Sequence, residues 1–138
     1  MRLWHVDLLS YLPKSQIIAQ WRELCSIYAK QDRHILINYI YDYPKEYLGW
    51  YSDEVIREMQ RREIKIKSFD KYVEYFGQQP LQFDRNRFKE HNFDYLRQCF
   101  FNLQEKYQRG QRDFDEKTFN RLQCVYFRME DAYDNYGG

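Results

Sequence analysis

The sequence predicts a mainly α protein: one compact helical bundle of about four to five helices, residues 1–138 as a single domain, closed by a C-terminal antiparallel helical hairpin. Three observations predict it. Apolar residues recur three and four apart in several separate segments. Hydrophobic residues are 43% of 138 and aromatic residues 20%, enough for one packed core. A brief polar link joins the last two periodic segments, as in an antiparallel pair of helices. The mean hydropathy of -0.92 does not signal disorder, because Tyr supplies 14 residues and buries a large ring behind its polar hydroxyl.

Residues 1–11 read as a short lead-in. Pro13 suits the first turn of a helix, and Ile17, Ile18, Trp21, Leu24, Cys25 and Tyr28 give residues 13–30 one apolar stripe. Residues 35–43, ILINYIYDY, are ambiguous. Their β-branched and alternating Tyr residues favour an extended segment, yet a lone short strand has no evident partner. Pro44 opens a second helix with Leu48, Tyr51, Val55 and Met59 as its stripe. Phe69 to Phe76 fits a short helix stopped by Gly77, and QQPLQFD reads as a loop. A fourth helix carries Leu96, Cys99, Phe100, Leu103 and Tyr107, with Gly110 able to cap it. The fifth starts near Asp113 or Asp115 and carries Phe119, Leu122, Tyr126, Met129 and Tyr133. The ending DNYGG is expected to fray. There is no internal repeat.

Composition narrows the function classes. Lys plus Arg is 22 and Asp plus Glu 21, so no global charge draws the chain to nucleic acid, although a local basic face suffices. Two basic clusters, Arg57-Arg61-Arg62-Lys65-Lys67 and Arg85-Arg87-Lys89, read as solvated surface, the first balanced by Glu54, Glu58 and Glu63. The odd set Cys25, Cys99 and Cys124 has no metal or redox spacing and fits reduced thiols. No apolar run approaches the ~20 residues of a bilayer span, and no secretory signal is apparent, so a cytoplasmic protein is expected. His5, His34 and His91 do not form HxxxH or HExxH. No phosphate-binding glycine loop and no GxSxG occurs.

What remains is the N-terminus and the first helix. On a helical wheel Glu23 lies roughly 160° from Trp21 and points away from the stripe. By itself that describes a solvated carboxylate. The segment MRLWHVDLLSYLPKSQIIAQWREL, however, resembles the N-terminus of the pyrimidine-dimer DNA glycosylases of the phage endonuclease V type. The shared elements are a very short lead, an early Arg, a Leu-rich stretch, and a helix ending in aromatic-Arg-Glu-Leu, here Trp21-Arg22-Glu23-Leu24. Arg33-His34 follows at the family's distance. MRLWH and HNFDYLRQCFFNLQEKY are similar to an uncharacterised bacterial branch of that family. The resemblance spans about residues 1–34 and is faint over 45–66.

The resemblance implies a DNA-repair glycosylase with abasic-site lyase activity on damaged double-stranded DNA, without metal or organic cofactor. The Met1 α-amine would be the nucleophile, and Glu23 the assisting carboxylate. Arg2 and Arg22 would hold phosphates, with Trp4, His5 and His34 as site neighbours. An α-amine, with a reference pKa near ~7.7–8.0, is appreciably free at neutral pH. Arg at position 2 is bulky, so Met1 is expected to be retained. The near-neutral charge and the acidic end, Glu130, Asp131 and Asp134, depart from the basic phage enzyme and open the substrate to other lesions or a plain abasic site. The alternative is a non-catalytic helical module that contacts protein or nucleic acid, or forms a homo-oligomer.

Overall fold

A computed structural model describes residues 1–137. Five α-helices carry the architecture: α1 (Lys14–Lys30), α2 (Lys45–Arg61), α3 (Phe69–Phe76), α4 (Phe93–Gln108) and α5 (Glu116–Ala132). Short 3-10 helices occupy Val6–Tyr11 and Asn38–Asp42, and no strand occurs among the described residues. The mainly α bundle follows from the apolar stripes, each of which buries toward one shared core.

The helix ends have local causes. Pro13 and Pro44 stand at the N-caps of α1 and α2, where a missing N–H removes no intrahelical bond. The Asn92 side chain accepts from the Tyr95 N–H, and Asp115, rather than Asp113, accepts from the Thr118 N–H. α3 stops at Gly77, whose φ of 73° is the left-handed cap that glycine adopts without strain.

Three segments differ from the sequence expectation. Residues 35–43 are a turn and a 3-10 helix, not extended chain. With no strand to pair with, three-residue spacing buries Ile37 and Ile40 on one side. The lead-in is not peripheral: Leu3, Trp4, His5 and Val6 are all buried, and the chain then turns into a 3-10 helix. The ending winds into a π-helical turn at Tyr133–Gly137, while Gly138 lies outside the described residues.

The predicted hairpin of α4 and α5 is held by three stacked aromatic pairs. Phe93 stacks on Tyr133 at 4.2 Å, Phe100 on Tyr126 at 4.0 Å and Tyr107 on Phe119 at 4.2 Å, all with interplanar angles of 7° or less. Each step of a heptad up α4 is matched by a heptad down α5, the register of an antiparallel seam. Phe100, at 1% exposure, sits at its centre. Phe100→Ala is expected to cost about 3–5 kcal/mol in urea denaturation, whereas the neighbouring, half-exposed Phe101→Ala should stay within about 1 kcal/mol.

Candidate active site at the N-terminus

The first residues cross the core with no neighbouring strand, so side chains must satisfy their backbone. Gln20, buried on α1, does most of this. Its Oε1 accepts from the Trp4 N–H at 2.8 Å, and its Nε2 donates to the Arg2 carbonyl at 3.1 Å and to Glu23 Oε2 at 3.2 Å. The Tyr51 hydroxyl donates to the Trp4 carbonyl, and the Tyr95 hydroxyl to the Leu3 carbonyl. Each such group left unpaired would cost about 1–3 kcal/mol.

Two buried imidazoles continue the pattern. The Asp7 N–H donates to His5 Nδ1 and the Val6 N–H to His91 Nδ1. An amide N–H can only donate, so both Nδ1 atoms carry a lone pair and the proton sits on Nε2. His5 Nε2 then donates to the His91 carbonyl, and His91 Nε2 to the Tyr39 hydroxyl. Burial, joined by the neighbouring His5 and Arg87, pushes the His91 pKa down to about 3; burial also lowers that of His5. Both rings are therefore neutral at neutral pH.

This bracing presents Met1, Arg2, Trp4 and Glu23 to one open concavity of about 590 Å³. Its opposite wall is the C-terminal end of α4 with the residues that follow, including Glu105, Lys106, Arg109 and Gln111, and Leu36 joins the rim. Glu23 is half-buried rather than solvated, because the N-terminal segment covers the side of α1 that a wheel assigns to solvent. Burial raises its pKa, against the pull of the N-terminal amine, the Arg2 amide and Arg22. The Arg2 guanidinium packs 5.8 Å from the Trp4 ring, and its buried Nη1 has no hydrogen-bond partner.

The family model for pyrimidine dimer DNA glycosylase matches residues 1–72, just over half of the chain. The chain belongs to the pyrimidine dimer DNA glycosylase family. No curated protein and no solved structure matches it. Membership places it among DNA-repair glycosylases, which act on damaged DNA. The match carries the N-terminal segment, α1 and α2. The α4 wall of the concavity lies beyond it.

Not every sequence candidate in this glycosylase-family chain reaches the concavity. Arg22 is exposed on the other flank of α1, in a groove of about 680 Å³. His5 is a buried brace and does not line the site. His34 is exposed and shapes the rim turn, its Nδ1 accepting from the Leu36 N–H at 3.1 Å. Sequence reading missed Gln20, Tyr51, Tyr95 and His91. Only Gln20 carried a signal, lying three residues before Glu23 on one helix face. Lys106 and Arg109 were missed because only the tertiary fold brings them opposite Met1.

The cations divide into two sets. Arg57 pairs with Glu54, Arg61 and Arg62 with Glu58, and Arg87 with Asp7. Around the Arg22 groove stand Lys14, Lys30, Lys65, Lys67 and Lys71 with Glu63, and among the described residues none of these lysines makes an ion pair. The three cysteines are free, and burial drives the Cys25 thiol up to about 11, far from a neutral-pH nucleophile. No group of three His, Cys, Asp or Glu side chains is placed to hold a metal among the described residues. No helix there is long and apolar enough to cross a membrane.

The imidazole pair yields a pH prediction. Unfolded, both rings protonate near the ordinary value of 6.5; folded, both resist it, His91 down to about 3. The unfolded chain therefore binds more protons below pH 6.5, and the stability these groups confer, complete above that value, is lost as pH falls through the window. Thermal melts from roughly pH 7 to pH 5 should show a falling Tm. His91→Gln should be less stable at pH 7 but show a flatter dependence.

Proposed function

We propose that this chain is a DNA glycosylase with abasic-site lyase activity that works through the Met1 α-amine. The observation that carries the reading is that Met1, Arg2 and Glu23 line one open concavity, with the Glu23 carboxyl close enough to the terminal amine to feel its charge.

In a chain that begins at Met1, the free amine attacks C1′ of the damaged nucleotide. An N–C1′ bond forms and the glycosidic bond breaks, the base leaving with a proton. The C1′–O4′ bond then opens as the nitrogen loses its proton, giving an imine. Removal of a C2′ proton and departure of the 3′ phosphate cut the strand by β-elimination. Glu23, with its raised pKa, exchanges protons with the sugar oxygen and leaving base and offsets the cationic intermediate. Arg2 holds a phosphate beside the sugar from within the concavity, and Arg22 one from the far flank of α1. The unpaired lysines beside Arg22 give the duplex an electropositive path. Pyrimidine dimers are the substrate the family suggests, and an abasic site needs the same chemistry after base loss.

A second reading, a non-catalytic interaction module or homo-oligomer, draws on Phe101 and Phe127, which stand 49% and 48% exposed on the hairpin. Borohydride trapping separates the two. With abasic or dimer-containing duplex, the free chain should form a covalent adduct. Blocking the terminal amine should abolish it, and Glu23→Gln should lower strand cleavage about 100-fold or more with an unchanged melting curve. Absence of any adduct from protein with a free N-terminus leaves the interaction module.

A further inference from the structure

The groove on the Arg22 flank of α1 has an apolar floor as well as a charged rim. Six of the side chains that line it are cationic, all of them exposed, and one, Glu63, is acidic. Ile18, Trp21, Cys25, Met59 and Ile64 line it too, and these are buried or half-buried. One wall is the chain that leaves α2. Residues 64–68 have no regular secondary structure, and along them Ile64 and Ile66 are half-buried while Lys65 and Lys67 are exposed. That is the alternation of a strand with one face on the protein, yet no strand lies beside it among the described residues. The segment is fastened at both ends. The Ile64 N–H donates to the Met59 carbonyl at 2.9 Å, and the Trp21 indole N–H to the Lys67 carbonyl at 2.7 Å. Between these points the N–H and carbonyl groups of Lys65 and Ile66 make no hydrogen bond among the described residues. A fixed segment with free main-chain donors and acceptors is a template for an added strand.

We propose that this groove docks an extended acidic peptide of a partner protein, one in which carboxylate and apolar side chains alternate. Its main chain pairs with Lys65 and Ile66, its apolar side chains cover the floor, and its carboxylates meet the unpaired lysines of the rim. Each observation narrows the occupant. A DNA duplex meets the rim through its phosphates, but it has no apolar group to cover the floor. A helix has already paired its own main-chain groups and would leave those of Lys65 and Ile66 unused. A neutral apolar peptide would cover the floor and leave the crowded cations without a counter-charge. The groove lies across α1 from the Met1 concavity, so the inference does not rest on the glycosylase reading.

The test titrates the full chain against a fluorescein-labelled synthetic peptide of about eight residues, Asp alternating with Leu, and reads anisotropy. A second peptide has Ser in place of each Leu and keeps the charge. The first should bind saturably, and the second about tenfold or more weakly. Ala29, exposed in the groove lining, allows the floor to be covered without a change of charge. Ala29→Trp should weaken the first peptide about tenfold with an unchanged melting curve. Lys65→Glu combined with Lys67→Glu should weaken it by a similar factor. Equal binding of the two peptides, or full affinity in Ala29→Trp, overturns the proposal, because charge attraction alone then accounts for binding and the groove belongs to the DNA path. Failure of the first peptide to bind overturns it as well. Trapping on abasic duplex, measured with the same preparation, reports on the glycosylase reading separately, so either can fail without the other.

Discussion

Residues 2–6 run through the interior as a single stretch with no strand beside it. Their buried backbone groups cannot form a ladder, so side chains from α1, α2, α4 and the loop just before α4 must complete them. Gln20, Tyr51, Tyr95 and His91 do so at distances that leave little freedom. The rest of the site depends on this arrangement. A chain terminus ordinarily frays, and an amine on a fraying terminus would have no fixed relation to any carboxylate. Here Gln20 bonds both the Arg2 carbonyl and Glu23, so one buried amide sets the terminus and the carboxyl in a common frame.

The same constraint explains the two histidines. Each supplies an Nδ1 lone pair to a backbone N–H, which only a neutral ring can do. Their depressed pKa values follow from burial and are the electrostatic expression of a structural task, not a sign of acid–base catalysis. Glu23 differs. It is partly buried, faces open space, and its raised pKa is set against a nearby amine, the setting in which a carboxyl can hand a proton on. Arg22 and Glu23, adjacent in sequence, open onto opposite flanks of α1, so this one helix separates the Met1 concavity from a lysine-lined groove.

Much of the fold was legible. The stripes of α1, α2, α4 and α5, the Phe69–Phe76 helix and the hairpin follow from helical spacing and the brief polar link, whereas the hairpin register, set by the stacks of Phe93, Phe100 and Tyr107, emerges only in the packed structure. Residues 35–43 misled because β-branched composition is only a preference for a pleated neighbour, and no neighbour exists. The lead-in was opaque for a related reason: Leu3-Trp4-His5-Val6 has no periodicity to reveal burial. In the site, family likeness singled out Met1, Arg2, Arg22 and Glu23, but a wheel placed Glu23 in solvent because it knows nothing of chain crossing over the helix. The neutral overall charge hid the division between arginines paired to carboxylates and lysines left free, which depends on side-chain placement alone.

On the proposed chemistry, the terminal nitrogen of Met1 is the atom that joins DNA. Peptide mapping by mass spectrometry of the borohydride-reduced adduct on abasic duplex tests it most directly. A single modified peptide is expected, the N-terminal one, with fragment ions placing the added sugar on the Met1 α-nitrogen. Attachment to a lysine instead, such as Lys106, which lines the same concavity, would rule that out.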